Sequence, residues 1–128
     1  MTISEAHNAL YDFWSSFGVP AYIQARIPRE TQLPYITFTV EVGAALETVY
    51  LTAFTWHQAA SGENVMQERA RLMDSIAAAI PEAGLIVDAE DGYMRIERGR
   101  GAWLSYYDDP DDPSVIGGRI AYTVTYYT

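Results

Sequence analysis

The chain predicts an α+β domain: one mainly antiparallel β-sheet with two α-helices packed on one face, in the order α-β-β-β-α-β-β-β. Three observations carry this expectation. Residues 35–42, 48–56 and 119–127 alternate with a period of two, as strands between unlike surroundings do. Two other segments, near the N-terminus and before Pro81, repeat their apolar residues with a helical period. Gly, Pro and Asp-Gly signals separate the segments. A length of 128 residues suits a single domain spanning residues 1–128, able to bury roughly two-thirds of its unfolded surface.

The first element is a helix. Thr2 and Glu5 have capping-box spacing, and Ile3, Ala6, Leu10, Phe13, Trp14 and Phe17 recur on one face. Gly18 and Pro20 stop it. Ala21 to Ala25 reads as a short strand, and IPRETQLP as a turn bounded by Pro28 and Pro34. Tyr35 to Val42 is the clearest strand. After the short connection GAALE, Thr48 to Trp56 alternates again, so the two predict a hairpin. Ser61 is placed to cap a second helix reaching about Ile80, with Val65, Arg69, Leu72, Met73, Ile76 and Ile80 in helical period. Beyond Pro81 and Gly84, Leu85 to Val87, Tyr93 to Glu97, Ala102 to Tyr107 and Arg119 to Tyr127 read as strand segments. Asp91-Gly92 and Gly99-Arg100-Gly101 give turn signals between them. The last strand sets Ile120, Tyr122, Val124 and Tyr126 on one face and Ala121, Thr123, Thr125 and Tyr127 on the other. A terminal strand is expected to be tied into the middle of the sheet or into a neighbouring chain.

Composition excludes several functions. There is no Cys, which removes disulfides, thiolate catalysis and Cys-based zinc sites. There is no Lys, which removes a Schiff-base lysine and a Walker phosphate loop. A formal net charge of -9 opposes wrapping of nucleic acid, whose affinity comes mainly from cations on phosphates. No apolar run approaches the roughly 20 residues that span a bilayer, and MTISEAHNAL lacks the pattern of a signal peptide. The expected location is therefore the cytoplasm of the producing cell.

No catalytic, cofactor or metal arrangement emerges. His7 and His57 are far apart and lack partners at metal spacing. Asp108, Asp109, Asp111 and Asp112 fail the EF-hand pattern, which needs a Gly at its sixth position and a Glu at its twelfth. GRG at residues 99–101 is no dinucleotide fingerprint, since Leu104 stands where the third Gly belongs. Clustered aspartates repel one another, so this loop is expected to stay solvated or to meet cations on another chain. Arg95, Arg98 and Arg100 in RIERGR are the candidates for those cations. The aromatic load is the remaining anomaly, with ten Tyr, three Trp and four Phe concentrated on strands. Tyr50, Phe54 and Trp56 share one face of a strand and need cover, which a subunit interface supplies. The terminal strand, with Tyr126, is a further interface candidate through strand addition.

In succession, a helix ending FWSSFGVPAY, the strand LPYITFTVEV, a strand ending in Trp56, a helix running to AAAIP and a terminal GGRIAYTVTYYT resemble the tail terminator proteins of long-tailed phages and prophages. These are also called tail completion or tail-to-head joining proteins. The resemblance covers nearly the whole chain in order and length. It implies a structural subunit of the virion rather than an enzyme, closing into a ring that is usually hexameric. Such a ring caps the tail tube, stops its polymerisation and meets the head–tail connector, while DNA passes through the lumen without specific binding. Neither cofactor nor membrane is implied, and the location implied is the tail–head junction after assembly in the host cytoplasm. Other readings are a different neck component, such as a head-completion, stopper or minor capsid protein, and a small cytoplasmic protein-binding module.

Overall fold

The computed structural model describes residues 1–24, 27, 31–60 and 64–127. The expected cap Ser61 and the expected boundaries Ala25 and Pro28 lie outside these residues. Helix α1 is Ile3–Ser15. Both arms of its capping box form: Glu5 N–H donates to Thr2 Oγ1, and Thr2 N–H donates to Glu5 Oε2, each at 3.2 Å. Ala6, Ala9, Leu10, Phe13 and Trp14 are its buried stripe. Ile3, expected on that stripe, is 56% exposed. Gly18 then takes a φ of 84°, which turns the chain out of the helix.

Strands β1 (Ala21–Ile23), β2 (Tyr35–Phe38) and β3 (Thr48–Gln58) precede helix α2 (Val65–Ala79). Strands β4 (Leu85–Ala89), β5 (Gly92–Arg98), β6 (Leu104–Asp108) and β7 (Val115–Tyr127) follow it. Four strands thus follow α2, corresponding to the four segments read along the sequence and one more than the order α-β-β-β-α-β-β-β contains. They form one sheet in the order β1-β2-β3-β7-β5-β4, with β6 also paired to β7. The sheet is mixed and strongly curled. β1 runs parallel to β2. Every other pairing is antiparallel. The fold is α+β.

β2 and β3 are antiparallel neighbours, but not a tight hairpin. β2 ends at Phe38, and the connection up to Glu47 crosses to the end of β7, where Leu46 N–H donates to Tyr126 O at 2.9 Å.

β7 organises the sheet. β3 fills one edge from Val115 to Thr125. The other edge is shared: β6 pairs with Ile116–Ile120 and β5 with Tyr122–Tyr127. The two meet at Ala121, whose carbonyl accepts from Gly99 N–H at 2.9 Å and whose N–H donates to Trp103 O at 2.8 Å. The expected turn at Gly99-Arg100-Gly101 is therefore a large bulge within one continuous strand course. A Cβ on Gly99 would stand 2.6 Å from Ala121 O, so only glycine permits this approach. The Gly117-Gly118 pair lies inside β7. A Cβ on Gly118 would fall 2.5 Å from Met73 Sδ, so the Met73 side chain of α2 packs directly over the backbone there.

Both helices cover the same face. α2 packs on β3 and β7, while α1 packs on β1 and β2 at one end of the strand order and on β4 at the other. In a flat sheet those ends would stand roughly 24 Å apart, five spacings of about 4.8 Å, against about 10 Å for a helix. Curling around α1 closes that distance. Trp14 marks the centre, with its indole N–H 3.4 Å from Tyr122 Oη and its ring 5.4 Å from the Tyr122 ring.

Candidate assembly surface

The helix-free face is built from the alternate residues of the same strands. Tyr50, Thr52, Phe54 and Trp56 of β3 lie across from Thr123, Ala121, Arg119 and Gly117 of β7. Phe54 stacks with Trp56 at 5.5 Å, and Tyr107 of β6 closes against them at 5.2 and 5.7 Å. Gly117 makes this possible, since a Cβ there would come within 3.1 Å of the Trp56 ring. Trp56 donates its indole N–H to Thr37 Oγ1 at 3.0 Å, and Tyr35 stacks edge-on with Tyr22 at 5.7 Å. Burial, and then neighbouring Tyr22, pushes the Tyr35 phenol up. At the far end of β7, Tyr93 and Tyr127 stack at 4.7 Å. Phe54, Trp56 and Tyr127 remain half-buried, Tyr107 is exposed, and Tyr50 is 66% exposed.

The acidic segment forms the β6–β7 hairpin loop. Its carboxylates first shape the loop itself: Asp109 Oδ1 accepts from Asp111 N–H at 2.9 Å and Asp112 Oδ1 from Ser114 N–H at 3.0 Å. Asp109, Asp112 and Val115 wall a recess of about 250 Å³ whose other side is Tyr35, Thr37 and Trp56. The acidic loop and the aromatic band are therefore one continuous surface. Among the described residues, no three His, Cys, Asp or Glu side chains gather as metal ligands would.

The hairpin is anchored from beneath by Arg69, a residue of the α2 stripe that is only 2% exposed. Its Nη1 donates to Asp108 Oδ1 and to Gly117 O, both at 3.2 Å, and its guanidinium lies 3.7 Å from the centre of the Tyr106 ring. His57 is buried on the same side, with neither ring nitrogen hydrogen-bonded among the described residues. Burial lowers its pKa, the Arg69 guanidinium lowers it further, and Glu68 partly offsets both. The sequence signal for the anchor was a cation inside an apolar helical stripe, at Arg69 between Val65 and Leu72.

Several expected interface residues stand elsewhere. Tyr126 is 1% exposed and belongs to the core, with its hydroxyl donating to Glu41 O. It offers nothing to a neighbouring subunit. Addition of the terminal strand to another chain is also ruled out, since both edges of β7 are filled within this chain. Arg98 faces the helices and closes the C-terminus of α2, with Nε 2.6 Å from Ile80 O and Nη2 3.2 Å from Ala77 O. Arg95 donates to Ala83 O at 2.6 Å and lies 3.6 Å from Glu97. Arg100 is exposed on the bulge, at the opposite end of β6 from the aspartates.

Comparison with protein-family models, curated proteins and solved structures finds no match. Among the described residues, no helix is long and apolar enough to cross a membrane.

Proposed function

We propose that this chain is a ring-forming structural subunit of the tail–head junction of a long-tailed phage, the terminator that caps the tail tube and joins it to the head. The observation that carries the reading is the unroofed aromatic band of Phe54, Trp56 and Tyr107, continuous with the acidic β6–β7 loop. A lone chain leaves large rings half-wet there, and an interface between subunits supplies cover. The resemblance of the sequence motifs, taken in order, to tail terminators supports the reading of a neck protein. A head-to-tail ring joins two different patches. One is the aromatic and acidic surface, and the exposed Arg100 belongs to the opposing one. A net charge of -9 suits a lumen that DNA crosses without sticking.

Light scattering over a range of concentrations, with and without purified tail tubes, tests the reading. The expected result is a ring in solution or on the tube, lost on Phe54→Ser with Trp56→Ser. A strict monomer that ignores tail tubes overturns it. A fixed one-to-one complex with a single non-virion protein replaces it with a binding module.

A further inference from the structure

We infer that the outer edge of β6 is a strand-addition site for an extended, basic segment of a partner protein. Among the described residues β6 pairs only with β7. The bond from Ala121 N–H to Trp103 O fixes the phase of that ladder. Bonded pairs alternate in an antiparallel ladder, so Ser105 and Tyr107 face β7. The peptide groups of Leu104, Tyr106 and Asp108 therefore point outward, a row of free donors and acceptors of the kind an added strand uses. Beside this edge lies an open groove of about 310 Å³ between α2 and β6, with Ala70 and Met73 forming apolar lining and Asp74 a carboxylate. Tyr106, held by its stack on Arg69, forms the groove's outer wall.

Charge selects the occupant. Asp74 lies in the groove, the Asp108 side chain is 72% exposed, and Asp109, Asp111 and Asp112 follow at the end of the strand. Arg69 is already engaged with Asp108 and Gly117. A second copy paired antiparallel would set a single Arg100 against these acids, with its own acidic loop at the far end beside Arg100 of this chain. A segment with Arg or Lys flanking a small apolar side chain satisfies both groove and edge. The β6 edge itself is not part of the proposed ring surface, although both draw on the acidic β6–β7 loop.

The probe is a short dye-labelled peptide of alternating valine and arginine, titrated by anisotropy against the full chain, with a valine–glutamate peptide as control. Wild type is expected to bind only the arginine peptide. Tyr106→Pro removes one outward N–H at an edge position where proline is tolerated, and is expected to weaken binding about tenfold or more. Tyr106→Ala keeps that N–H but removes the ring that walls the groove, so it is expected to weaken binding less than Tyr106→Pro does. On wild type, the peptide is expected to slow amide exchange at Leu104, Tyr106 and Asp108 but not at Ser105 or Tyr107, which decides the matter even if the proline variant misfolds. Failure of wild type to bind, equal binding by Tyr106→Pro, or unchanged exchange at the three outward amides overturns the inference. Self-association that Tyr106→Pro abolishes assigns the edge to a second copy instead, and also overturns it.

Discussion

The two faces of β7 carry one strand into opposite circumstances. Toward the helices, Ile120, Tyr122, Val124 and Tyr126 are all at or below 1% exposure. Toward the other side, Ala121, Thr123 and Thr125 form a shallow floor between two aromatic clusters, and Thr125 shares a hydroxyl contact of 3.1 Å with Thr48. The helix face satisfies its apolar residues within the chain. The helix-free face has small and hydroxyl residues at its centre, with Thr123 and Thr125 themselves buried among their strand neighbours, and partly exposed rings at its ends. Stability should therefore reside on the first face and association on the second.

The comparison breaks most clearly at the two tryptophans. Trp14→Ala is expected to cost about 3–5 kcal/mol, read from denaturant unfolding, because it empties the centre of the core. Trp56→Ser should cost about half of that, since its ring is already half-wet and loses mainly the bond to Thr37. Equal losses would show that both faces are sealed in the isolated chain. Next comes Gly118→Val, which pushes Met73 away from the sheet and is expected to cost about 1–3 kcal/mol with a matching fall in melting temperature.

Titration sharpens the same contrast. Burial raises the Tyr122 phenol far above its ordinary value of 10.0, and burial with nearby Glu41 pushes Tyr126 up to about 12. The unfolded chain then releases these protons first, so their contribution is intact below about pH 10 and falls as pH rises beyond it. Thermal melts between neutral and alkaline pH should show this fall, reduced in Tyr122→Phe. The smallest effect lies on the acid side. His57 has a folded pKa below its ordinary 6.5, so the unfolded form takes up the proton more readily and stability declines as pH drops through that value. His57→Gln should flatten this slope, checked by melts across mildly acidic pH.

Local chemistry made much of the fold legible. The Thr2–Glu5 cap, the Trp14 stripe and the division of β7 into two faces follow from spacing alone. Long-range pairing was less visible. Gly99-Arg100-Gly101 has turn composition whether it reverses a chain or bulges from it, and only the backbone of Ala121 decides. Arg98 looked like a surface cation because nothing near it in sequence announces that the last carbonyls of α2 need a donor. Tyr126 shares its face of β7 with Ile120, Tyr122 and Val124, so its place in the core was readable from alternation, and the expected interface role ran against that pattern. The aromatic candidates Phe54 and Trp56 were readable, whereas Tyr107 joins them through a strand far along the chain.

Ala121 holds Gly99 and Trp103 with two successive peptide bonds' worth of hydrogen bonding, so Arg100, Gly101 and Ala102 hang clear of the ladder. Such a seam uncouples length from register. Residues can be grafted into it, or a spectroscopic label attached, while the strands on either side keep their partners.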